Sequence, residues 1–134
     1  MNTNIVVIAG NLTKAPELRF TASGTAVAKF SIANNQRKLV GEEWVDDTSY
    51  FDVVVWKKQA ERCAEHLTKG SSVLVEGKLK QNKWTDKEGN NRYSVEIIAF
   101  KVSWEKPKHH EAEPEDMSQH NQVIEEVEQD EVPF

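Results

Sequence analysis

The chain is poor in several things, and each shortage excludes a class of protein. It has one cysteine, Cys63, in 134 residues, so no disulfide can form within it, and a reducing compartment is expected. No apolar run approaches the roughly 20 residues that a membrane-spanning helix needs. The opening MNTNIVVIAG has no basic stretch ahead of its short apolar run, unlike a secretory leader. These features predict a cytoplasmic chain with no membrane segment. There is no glycine-rich phosphate loop and no nucleophile elbow. Asp46 and Asp47 are neighbours, and neighbouring strand residues point to opposite faces. Cys63 and His66 are spaced for one helical face, but no second ligand pair completes a zinc site. The reading is therefore not an enzyme, with no metal and no cofactor.

Basic residues are missing from the end of the chain. All 17 Lys and Arg lie at or before Lys108. Residues 1–110 carry 13 acids against those 17 bases, a net +4, whereas residues 111–134 carry nine acids and no base, a net −9. The overall charge of −5 conceals a basic body followed by an acidic arm, the pattern of a polyanion-binding domain with an interaction segment. The segment from Pro107 is polar and highly charged, too poor in apolar area to offset the entropy of ordering. We expect two parts: a folded domain over residues 1–106 and a disordered acidic tail over 107–134.

What the body does have is strand patterning. Residues 4–12, NIVVIAGNL, form a near-continuous apolar run, as in a strand covered on both faces. Residues 17–33 contain a turn signal at Ser23-Gly24 followed by alternation, and residues 49–56, 71–84 and 92–104 are rich in β-branched and aromatic side chains. One stretch has helical spacing: Ala60, Cys63, Ala64 and Leu67 share a narrow face, and Gly70 follows as a stop. Five strands with a short helix between the third and fourth give an all-β fold of OB type, a five-stranded barrel.

Alternation also points to a surface. In the third strand Phe51, Val53 and Val55 share one apolar face, leaving Tyr50, Asp52, Val54 and Trp56 on the other. In the fourth, Val73, Val75, Gly77 and Leu79 point one way, and Leu74, Glu76, Lys78, Lys80 and Trp84 the other. Rings left outside the core among lysines can stack on unpaired bases while the cations neutralise phosphates. Because a duplex hides its base faces, such a surface selects single strands. Alternation gives Trp44 and Trp104 no definite face, so each stands equally as core or surface.

The stretches GNLTKAPELRFTASGTAVAKFSIA (10–33) and VVVWKKQAERCAEHLTKGSSVLVEGKLKQNKWTDKEGNNRYSVEI (53–97), with DEVPF at 130–134, resemble the bacterial single-stranded DNA-binding proteins. The resemblance implies an OB-fold core, a homotetramer, and binding of single-stranded DNA in replication, recombination and repair. It assigns base stacking to Tyr50, Trp56 and Trp84, with Trp44 the nearest match to a further loop tryptophan. Phosphate contacts fall to Lys58, Lys69, Lys80 and Lys83, and Lys78 joins them from its place in the strand pattern. A position that is commonly basic in the family is Asp52 here. The tip Asp130, Glu131, Val132, Pro133 and Phe134 is expected to recruit replication and repair proteins: Phe134 fills a partner's pocket, its carboxylate meets a basic residue, and the acids steer the encounter. An RNA-binding or protein-adaptor OB module is the alternative.

Overall fold

The computed structural model describes residues 1–105. The acidic tail, the domain boundary at 106 and the tip at 130–134 lie outside the described residues. Within them run β1 (Val6–Leu12), β2 (Glu17–Phe20), β3 (Ala26–Val40), β4 (Glu43–Trp56), α1 (Lys57–His66), β5 (Ser72–Thr85) and β6 (Asn91–Ser103). The sheet order is β1-β5-β6-β4-β3-β2, and a second pairing of β1 with β3 joins its ends. All pairs are antiparallel except β4 with β6. The strands β1, β3, β4, β6 and β5 thus close a five-stranded barrel, with β2 paired only to β3.

The helix lies between β4 and β5, not between a third and a fourth strand. The difference arises at residues 17–33, which read as one strand but fold as two. Their turn is closed by Thr21 N–H donating to the Thr25 carbonyl at 2.9 Å and Gly24 N–H to the Thr21 carbonyl at 2.8 Å. Gly24 has φ +87°, a conformation that L side chains resist.

Two further expectations fail because strands outrun the barrel. The β3–β4 hairpin continues to Val40 and Glu43, through a polar stretch, 34–48, with little strand composition. Near such arms there is no opposing layer, so Phe51 and Leu79, expected to point inward, are 37% and 46% exposed. β1 is not covered on both faces. Its burial alternates, with Val6, Ile8 and Leu12 packed on the core and Val7 62% exposed.

The core is made by period-two alternation on strands that face one another across the barrel. Ile32, Val53, Val55, Val75, Ile97 and Val102 are 2% exposed or less, and the narrow face of α1 adds Ala60 and Cys63, followed by Leu67 at its C-cap. Strand β5 crosses β6 at a bulge between Glu76 and Gly77. Only glycine fits there, since a Cβ on Gly77 would stand 2.1 Å from the Ile98 carbonyl oxygen. Gln59 of α1 bridges the irregular stretch of β6. It donates to the Phe100 carbonyl, and its Oε1 accepts from Val102 N–H at 3.0 Å. The helix is thereby fixed to the strand that runs beside Trp56.

Candidate nucleic-acid interface

The face opposite the core begins on β3 and β4, whose register is unbroken from Val27↔Trp56 to Val40↔Glu43. With no bulge to change parity, Trp44, Tyr50, Asp52, Val54 and Trp56 share one side of the ribbon with Val27, Lys29, Ser31 and Arg37. This settles the face of Trp44, which alternation in the sequence alone left open. Trp44, Tyr50 and Trp56 are 59%, 66% and 43% exposed, spread along about 40 Å of strand at roughly 3.4 Å per residue. Arg37 braces the outer end, reaching the Trp44 carbonyl at 3.5 Å and Asp46 at 3.9 Å.

At the inner end the face becomes a groove of about 370 Å³ running across β3, β4, β6 and β5. Val27, Val54 and Ile98 give it an apolar lining, and Trp56 stands at its side. Val54 was expected to be exposed with Trp56, but it is only 4% exposed, because its neighbours in the groove cover it. Three cations surround this apolar floor: Lys29 opposite Val54, Lys78 opposite Ile98, and Lys80 opposite Glu96. Sequence reasoning missed Lys29 and Glu96. Lys29 enters through the antiparallel β3–β4 ladder, and Glu96 through the parallel pairing of β4 with β6, which joins residues far apart in the chain and leaves no local signal.

A second hollow, about 340 Å³, lies on the β5–β6 arm between Trp84, Lys83, Arg92 and Tyr93. Trp84 and Tyr93 are 50% and 69% exposed, so Tyr93 is a further ring that the sequence reading passed over. Lys58 is the second residue of α1, two positions after Trp56, and Lys69 follows the far end of the helix. Both are exposed, and neither lines either of these two hollows. Asp52 stands between Tyr50 and Trp56 and accepts a hydrogen bond from Ser31 Oγ at 2.5 Å. Trp104 is structural: it packs against the core, with the Arg62 guanidinium 5.3 Å from its ring centre and the His66 ring at 6.0 Å.

Lys57 follows Trp56 with φ +63°, a left-handed conformation that strains a residue carrying Cβ. The chain turns there from strand to helix, which sets the direction in which Trp56 leaves the sheet. Burial pushes the Cys63 thiol up to about 12, against a smaller opposing effect of Arg62, so it is neither a nucleophile nor a ready metal ligand. Among the described residues no group of three or more His, Cys, Asp or Glu is placed to hold a metal ion. None of the described helices is long and apolar enough to cross a membrane.

A closed five-stranded barrel, with its helix packed on the core and an aromatic, lysine-edged face outside, is the OB fold in a form suited to an extended polyanion. Residues 3–104 match the single-strand binding protein family, and the chain belongs to it. The single-stranded DNA-binding protein of Treponema pallidum is 43% identical over 101 residues, 75% of this chain and 57% of that protein. That of Borreliella burgdorferi is 45% identical over 96 residues, 71% of this chain and 64% of that protein. Single-stranded DNA-binding protein 2 of Chlorobaculum tepidum is 46% identical over 103 residues, 75% and 70% of the two chains. The match thus spans less than two thirds of the first two relatives' own length.

Proposed function

We propose that this protein binds single-stranded DNA without regard to overall sequence, shielding it in the bacterial cytoplasm during replication, recombination and repair, and that it performs no catalysis. The observation that carries the reading is the presentation of exposed rings beside cations: Trp56 with Lys29, Lys78 and Lys80, and Trp84 directly across the β5–β6 ladder from Arg92. Rings alone would serve an apolar partner, and lysines alone would bind a duplex as well as a single strand. Together they require a polyanion whose bases are free to stack. The names of the relatives agree with this reading. Tyr50 and Trp44 extend the track along the β3–β4 arm, and Lys58 and Lys69 add positive charge around it.

The test is a competition titration, followed by intrinsic tryptophan fluorescence, among single-stranded DNA, single-stranded RNA and duplex DNA. Quenching by single-stranded DNA, reversed only weakly by duplex or RNA, is expected. Preference for RNA, or no binding to any of the three, would replace the reading with an RNA-binding or adaptor module.

The active form is proposed to be a homotetramer, in which several short tracks act together. Between Val6 and Gly10, β1 pairs with β5 alone, since β3 meets it only at Asn11 and Leu12. Its outward Val7 and the preceding Ile5 are 62% and 74% exposed. A free strand edge beside bare apolar side chains is what pairing with another copy would cover. The tip residues Asp130, Glu131, Val132, Pro133 and Phe134 are proposed to recruit replication and repair proteins, with Phe134 as the anchor and Pro133 limiting the entropy lost on docking.

A further inference from the structure

Glu96 stands out in the groove beside Trp56. It is the acid among the residues lining that groove, where three lysines also stand. It is partly buried and lies directly across the β5–β6 ladder from Lys80. Among the described residues its carboxylate nevertheless has no hydrogen-bond partner and no ion pair within 4.0 Å. In a track built for phosphates such a group repels the ligand's backbone. Its oxygens can only accept hydrogen bonds, and it faces the same space as the ring on which a base would stack.

We propose that Glu96 determines base preference at this one position of an otherwise indifferent track, favouring a base that carries an exocyclic amino group over thymine. The inference rests on the single-stranded DNA reading given above. A base lying on Trp56 presents its pairing edge to the groove while Lys29, Lys78 and Lys80 are left for the phosphates. Cytosine N4, adenine N6 and guanine N1 with N2 offer N–H donors to a carboxylate, and glutamate with cytosine N4 is an established pairing type in base readout. Thymine offers a single N3–H between two carbonyl oxygens, both repelled by the same carboxylate. Trp56 holds the base without reading it, and Glu96 reads it.

The test compares dissociation constants of the parent protein, Glu96→Gln and Glu96→Ala for oligo-dC and oligo-dT of equal length. Salt is held fixed and the pH mildly alkaline, so that cytosine is unprotonated. The substitutions sit on the outer face of the sheet, and circular dichroism checks that the fold is retained. The glutamine amide can donate to thymine oxygens, so Glu96→Gln should shift the dC-to-dT affinity ratio towards thymine by about fivefold or more, the low end of what one specific base contact contributes. Glu96→Ala should shift it in the same direction by less. If removing the charge strengthens binding to both oligonucleotides by the same factor, Glu96 only tempers the field of the lysines and the proposal is overturned. If the parent binds neither, the underlying DNA reading fails first, a result distinct from an unchanged ratio.

Discussion

Trp56 is the residue at which strand, helix and groove meet. It ends β4, serves as the N-cap of α1 and stands beside the apolar floor of the groove. Its cap position carries no side-chain hydrogen bond to the helix, so the ring is free for other contacts. The strained Lys57 next to it indicates that the direction of this side chain is maintained against a local cost of roughly 1–3 kcal/mol. Much of this was legible in the sequence, because period-two alternation through Asp52 put Tyr50 and Trp56 outside the core. Alternation alone could not see that Val54 would be covered. That depends on Ile98 arriving from β6, 44 positions further along the chain. The same non-local pairing hid Glu96. Trp104 was illegible for a related reason, since its partners Arg62 and His66 lie on the helix.

At the scale of elements, the body's strands and helix were readable from composition and spacing, while their lengths and partners were not. The arm over residues 34–48 lacks the β-branched density that marks a strand, and cross-strand pairing holds it extended instead. Its braces include Thr48 Oγ1 donating to Asn35 Oδ1 at 2.7 Å. The β5–β6 arm, which carries Trp84, is held by its turn. Asp86 Oδ1 accepts from Glu88 N–H and Asn90 N–H, each at 2.9 Å, and its Oδ2 accepts from Arg92 Nε at 2.9 Å. The Arg92 guanidinium first, and then the Asn90 amide, hold the Asp86 carboxyl below the usual carboxylate range. A carboxyl with a depressed folded pKa stabilises the fold above its unfolded pKa, and that contribution disappears as pH falls through the folded value. Asp86→Asn should therefore lower the melting temperature at neutral pH, and the gap from the parent should narrow in acid. A gap of constant size down to strongly acidic pH would refute this role of the turn.

At the scale of the whole molecule, charge organises the account. A body of net +4 over residues 1–110 precedes a segment of net −9, and under the proposed function the two would attract oppositely charged ligands. Two consequences are measurable. Sedimentation at micromolar concentration should give a mass four times the chain's 15.3 kDa, and replacing outward Val7 with a lysine should shift it towards smaller species. A monomeric parent would refute the tetramer. Removing Phe134 should abolish capture of replication and repair proteins from a bacterial extract, whereas equal recovery by the full and shortened chains would rule out the anchor.

The central claim is that the aromatic and lysine face outside the barrel is the surface that holds single-stranded DNA. The most direct measurement is the affinity for poly-dT of Trp56→Ala and Trp84→Ala beside the parent, with the fold of each checked by circular dichroism. Each substitution removes a stacking ring while leaving the buried core untouched, and each should weaken binding by about 1–3 kcal/mol. Two well-folded variants that bind poly-dT as tightly as the parent would contradict the account.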